Sequence, residues 1–146
     1  MKKLITMVAI AAATLLSLQS CEKDDRLINP GDLPTTSSNF ITANFPNATI
    51  RNVVKDYDDA TYTYQVSLSD GTYIEFRKNG EWKEIENRTS GVPNSVIPAK
   101  ILEYVTTNYP DNFIVDIEKD HQIDVELNSG LDLDFSSDGN FIRVDI

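Results

Sequence analysis

Between Tyr62 and Trp82 the chain alternates apolar and polar residues and is broken twice by glycine turns, a pattern suited to an antiparallel sheet with one buried face. Tyr62, Tyr64, Val66 and Leu68 fall on one side, and Thr63, Gln65 and Ser67 on the other. Asp70-Gly71 reverses the chain, Ile74 and Phe76 resume the apolar side, and Asn79-Gly80 reverses it again. Such tight turns need a positive φ, which glycine adopts without a Cβ clash. The pattern returns from Ile123 to Phe141 at an offset of 59: Leu68 recurs as Leu127, Gly71 as Gly130, Phe76 as Phe135, Gly80 as Gly139 and Trp82 as Phe141.

A second set of matches precedes each hairpin region at an offset of 64. Pro34 recurs as Pro98, Phe40-Ile41 as Tyr104-Val105, Phe45-Pro46 as Tyr109-Pro110, and Ile50 as Ile114. In the later copy Ile97, Ile101, Val105 and Tyr109 form one helical stripe, Ser95 is a candidate cap, and Pro110 stops the helix. The earlier copy keeps Phe40, Ile41 and Phe45, but Thr35 to Ser38 are poor helix formers. Four strands follow each helix. They are expected at 49–57, 61–68, 72–77 and 81–86, and at 113–118, 122–127, 131–135 and 140–146. The expected fold class is α+β: two tandem αββββ units, each an antiparallel β-meander with a helix packed on one face. The first spans 34–90 and the second 91–146, within one compact domain, and Asn87 to Asn94 is the expected linker.

The first twenty residues have a signal-peptide layout. Lys2 and Lys3 precede an apolar run from Leu4 to Leu16, which is short for a membrane span. Leu18-Gln19-Ser20-Cys21 resembles the bacterial lipobox, with Gln19 where a small residue is more usual. That resemblance implies cleavage before Cys21 and its lipidation, and so attachment to a membrane through acyl chains. Glu22-Lys23-Asp24-Asp25 is similar to the export signal of surface lipoproteins in one group of Gram-negative bacteria, and also suits a solvated tether. Residues 21–33 are expected as the lipidated N-terminus and a flexible spacer. The location implied is the Gram-negative cell envelope, lipid-anchored at the outer membrane, periplasmic or surface-exposed.

Tandem helix-plus-meander units with a Phe-Pro or Tyr-Pro helix end and Asp-Gly or Asn-Gly hairpins, behind a lipoprotein signal, resemble the PepSY-like family, itself likened to the β-lactamase-inhibitor protein fold. The resemblance covers Leu33 to Ile146. It implies a secreted or periplasmic binding or inhibitory module without assigned catalytic residues.

The chain of 146 residues carries a net charge of −10, and −12 once Lys2 and Lys3 leave with the first twenty residues. Such a domain is repelled by nucleic acid, so none is expected as a partner. With one cysteine and one histidine, His121, a His/Cys metal cluster is excluded. His121 suits a solvated turn.

Asp124, Glu126, Asp132 and Asp134 alternate with core residues and share one face, where like charges on adjacent strands oppose pairing. That calls for a cation, a basic partner, or neighbours such as Lys78 and Lys100; a solvated acidic face is the plainer reading. Tyr73 and Arg77 join the candidate binding face, since exposed aromatics beside charge anchor protein partners. Trp82 is expected in the core, because it aligns with Phe141. Neither Asp132, Asp134 and Asp138-Gly139-Asn140 nor Asp56, Asp58 and Asp59 has the spacing of a calcium loop, so no metal site and no cofactor is expected. No nucleophile motif or phosphate loop occurs, and no enzyme is expected. The expected function is a lipid-anchored binding module that recognises a protein or peptide, one of basic character, through its sheet face, inhibition being one version. The alternative is an accessory lipoprotein of an envelope complex with no free ligand.

Overall fold

The computed structural model of the protein describes residues 25–58 and 61–145; the expected signal segment and Cys21 lie outside the described residues. The chain runs β1 (Arg26–Ile28), a 3-10 turn (Pro30–Asp32), α1 (Thr35–Asn44), β2 (Ile50–Asp58), β3 (Thr61–Leu68), β4 (Tyr73–Arg77) and β5 (Trp82–Glu86). It continues through α2 (Ala99–Asn108), β6 (Ile114–Lys119), β7 (Ile123–Leu127), β8 (Asp132–Phe135) and β9 (Phe141–Asp145). All nine strands form one sheet in sequence order, and every pairing is antiparallel.

This corrects the expectation of two tandem αββββ units. The protein is a single sheet-dominated layer with two α-helices among the described residues. Two pairings make the difference. β5 joins β6 through Glu84↔Glu118, Ile85↔Ile117 and Glu86↔Asp116. Arg26–Ile28, expected in the spacer, pairs with Val53–Lys55 and adds a ninth strand. The physical reason lies in the edges: a β5 left alone would expose an unpaired row of backbone groups. Joined to β6, it buries Ile85 and Ile117 completely.

The segment after β5 is an ordered turn built on Asn87, which is 2% exposed. Its Nδ2 donates to Thr72 Oγ1 at 2.9 Å, and its Oδ1 accepts the N–H groups of Thr89 and Ser90. Val92 N–H then donates to Ile114 O at 2.8 Å, which holds the turn against the start of β6.

Both helices lie over the apolar side of the sheet. In α2, Ile101 and Val105 are buried, Tyr109 N–H caps the end by donating to Val105 O, and Pro110 follows. Ser95 does not cap it: Pro98 occupies the N-cap and no side chain bonds there. α1 forms despite its weak propensity because packing overrides it. Ile41 and Phe45 enter the core, and Phe40 packs edge-on against Phe76 and tilted against Trp82. The centre holds Val66, Ile74, Phe76, Leu127, Leu133 and Phe135, all 1% exposed or less.

Candidate binding face

The side of the sheet away from the helices is polar and half-buried, as the alternation dictates. The strand registers set its side chains in two rows. One row crosses Glu75, Glu84, Glu118, Asp124, Asp134 and Arg143. The other crosses Tyr73, Glu86, Asp116, Glu126, Asp132 and Asp145. The structure therefore brings the four expected acids together, with Asp124 opposite Asp134 and Glu126 opposite Asp132. Tyr73 and Arg77 lie on the same face on β4, and Arg77 stands opposite Thr63.

Sequence reasoning placed Glu75 on the polar face of the first hairpin, but missed Glu84, Glu86, Asp116, Glu118 and Asp145 as parts of this array. Each sits at an alternating position, which was a signal, but only the β5–β6 pairing makes them neighbours of Asp124 and Glu126.

Three cations interleave with the acids. Lys83 reaches Glu75 and Glu118, each at 3.3 Å. Arg88 clasps both oxygens of Glu126 at 2.8 Å and holds Glu86 at 3.2 Å. Arg143 Nε meets Asp134 Oδ2 at 2.6 Å. Lys78 and Lys100 are not the compensating neighbours: Lys78 sits over the Tyr62 ring, and Lys100 donates to Asn140 Oδ1. Arg77 is spent on backbone, donating to the carbonyls of Trp82 and Lys119. Trp82 is 9% exposed and capped by Lys119, whose Nζ stands 3.5 Å from the ring centre. Burial, and then Arg77, lowers the Lys119 pKa. His121 is exposed.

The cations do not neutralise the centre of the face. Carboxylate oxygens of Glu84, Glu86 and Asp116 lie within 4.8 Å of one another. Burial, then Asp116 and Glu118, pushes Glu84 up to about 7. Burial, then Glu86, pushes Asp116 up to about 6, against the opposing pull of Arg88. Asp116 Oδ1 is buried and has no hydrogen-bond partner. Burial also raises Asp124, with Gln122 opposing and Asp134 reinforcing. Tyr73 is raised by burial and by Glu75, to which its hydroxyl donates at 3.3 Å. Glu126 moves the other way, down, because Arg88 holds its charged form.

Two cavities open on this side. One of about 220 Å³ lies over Asp116, Glu118, Asp124, Glu126 and Asp134. The other, about 800 Å³, is bordered by Asp56, Thr63, Glu75, Arg77 and Lys83. Chemically, the first is an acceptor surface for cations and N–H donors, and the second has mixed charge.

The fold and this acidic face describe a sheet-based module with one side packed under helices and the other open and acidic. The family model described as "Putative beta-lactamase-inhibitor-like, PepSY-like" matches residues 62–143, and the chain belongs to that PepSY-like family. A "putative calcium-regulated periplasmic protein" of Bacteroides thetaiotaomicron superposes with a TM-score of 0.81 at 33% identity, covering 84% of this chain and 98% of that one. Two structures from Bacteroides vulgatus described as "putative periplasmic protein" give TM-scores of 0.79 and 0.80 at 35% and 30% identity. Both cover 84% of this chain, and 98% and 99% of their own. Among curated proteins no sequence matches the chain. The neighbours support a location in the Gram-negative envelope.

Proposed function

We propose that the protein is a non-enzymatic, lipid-anchored binding module of the cell envelope that recognises a basic protein or peptide segment through its open sheet face. The observation that carries this is the pair of cross-sheet rows, in which carboxylates on six adjacent strands outnumber the cations between them. Lysine and arginine side chains would exchange water for those carboxylates and steer the encounter. The lipobox-like Leu18–Cys21 supports the anchor.

A second reading is favoured by the Glu84, Glu86 and Asp116 cluster: a calcium ion seated among them. Three carboxylates supply up to six oxygens, and calcium takes about 6–8. The unpartnered Asp116 Oδ1 and the raised Glu84 fit a site that lacks a counter-charge. Arg88, on Glu86, would compete with the ion. The calcium-regulated relative supports the same reading.

Calorimetric titration of the mature protein with an oligolysine peptide, and separately with calcium chloride, tests both. Binding of the peptide to the native protein and its loss in Asp124→Asn/Glu126→Gln/Asp132→Asn/Asp134→Asn supports the first reading. Calcium binding that disappears in Glu84→Gln/Asp116→Asn and weakens peptide binding supports an ion that regulates the same face. No heat from either ligand sinks the function.

A further inference from the structure

The free flank of β9 repeats a geometry that the molecule already uses inside its sheet. β4–β5 and β8–β9 share one register: Phe76 stands opposite Trp82, and Phe135 opposite Phe141, with a shift beside each pair. The residue passed over by the shift is Lys83 in β5 and Ile142 in β9. Beyond it, Glu84, Ile85 and Glu86 receive β6 as a second neighbour. The corresponding residues of β9, Arg143, Val144 and Asp145, have β8 on one side and no strand on the other among the described residues. Exposure follows from this. Trp82 is 9% exposed, whereas Phe141 is 36% and Ile142 is 52% exposed. β9 is also the longer edge, with five residues against three in β1, and it carries neither proline nor lysine to block pairing.

We propose that β9 pairs antiparallel with β9 of a second copy of this chain, about a two-fold axis through Val144. The argument for a second copy is charge. In that register Arg143 faces the second copy's Asp145, Val144 faces Val144, and Asp145 faces the second copy's Arg143. Both polar positions set a cation against a carboxylate, which cross-strand neighbours favour. The internal β5–β6 seam is worse matched, since it opposes Glu84 to Glu118 and Glu86 to Asp116. Arg143 binds Asp134 through Nε, and its Nη2 stands 4.0 Å from Asp145 Oδ1 of the same strand, a long contact that the cross-strand pairs would replace; both its side chain and that of Asp145 are 61% exposed. A self-complementary strand closes on itself as a dimer and leaves no further edge to grow from at β9. This inference is independent of the ligand of the polar face.

Sedimentation equilibrium of the mature protein at physiological ionic strength, across a concentration series, tests it. The native chain is expected to show a reversible monomer–dimer equilibrium. Asp145→Lys sets lysine against Arg143 and is expected to weaken association about tenfold or more. Mixing Asp145→Lys with Arg143→Glu is expected to restore a heterodimer, because each cation again faces a carboxylate. Arg143→Glu also removes the partner of Asp134, so the Asp145→Lys result decides if that variant folds poorly. A native chain that stays monomeric throughout, or Asp145→Lys dimerising as tightly as the native chain, overturns the proposal.

Discussion

Two glycine turns meet two helices in this molecule, and they do so with different chemistry. Gly80 lies under α1, where Ser37 is fully buried and its hydroxyl donates to the Gly80 carbonyl at 3.0 Å. Gly139 lies under α2, where Ile101 occupies the position matching Ser37 and is equally buried. One contact is a hydrogen bond and the other is a hydrocarbon against backbone. The approach is also tighter at Gly80: a Cβ there would stand 2.9 Å from Pro34 Cβ, whereas at Gly139 it would stand 3.3 Å from Lys100 Cβ. The same helix-over-turn geometry can therefore be held by a polar or an apolar contact, and the polar one tolerates less space.

Substitutions can break that comparison. The largest effect is expected at Ile101→Ala, which leaves a cavity and should cost about 3–4 kcal/mol. Ser37→Ala, losing one buried hydrogen bond, should cost about 1–2 kcal/mol. Urea denaturation of both variants checks the ratio, and equal costs would show that the two contacts are energetically alike.

Next come the glycines. Both have positive φ, +87° at Gly80 and +79° at Gly139, so alanine is strained at each, by about 1–2 kcal/mol. At Gly80 the clash with Pro34 adds to this, so Gly80→Ala is expected to lower the melting temperature more than Gly139→Ala. The reverse order would mean that α1 can shift away more easily than α2.

The smallest effects are expected on the polar face, where Glu84 and Glu126 form an opposed pair. Glu84 is hemmed in by acids, with its pKa raised to about 7, so the folded state holds a proton that the unfolded chain releases. Stability from this group is full below its unfolded pKa and is lost as pH rises through about 7. Glu126, lowered by Arg88, runs the other way: its contribution is present above the unfolded pKa and is lost as pH falls through the lowered value. Melting curves between acid and mildly alkaline pH should show Glu84→Gln raising the melting temperature at pH 8 by on the order of 2 °C, while Glu126→Gln lowers it. The gap between the two variants should close in acid. A gap that persists there would place the difference in packing rather than charge.

Much of the local structure was legible, because its cause is local. Alternation placed the hairpin strands, glycines at positive φ placed their turns, and Pro110 placed the end of α2. What stayed hidden depends on partners distant in sequence. Nothing in Ile85 announces Ile117, so the merging of the strands into one sheet could not be read from either residue. Ser37 looked like a weak helix former, and its burial follows from a carbonyl 43 residues away. The candidate face was half legible for the same reason. Asp124 to Asp134 lie on one hairpin and were seen together. Glu84, Glu86 and Asp116 meet only across the seam, and with them came the one carboxylate cluster that suits an ion among the described residues.

The sequential order of the strands also bears on how the chain reaches this state. Every hydrogen-bonded neighbour in the sheet is the next strand along the chain, so no strand must wait for a later one to be inserted between two already placed. Contacts of this kind close short loops, which lowers contact order and the entropy lost before pairing is rewarded. A polypeptide delivered from its N-terminus can therefore extend a finished edge strand by strand. Its longest excursion, from Asn87 to Phe113, carries α2 and must fold back before β6 can dock on β5. That docking is the step at which assembly would pause.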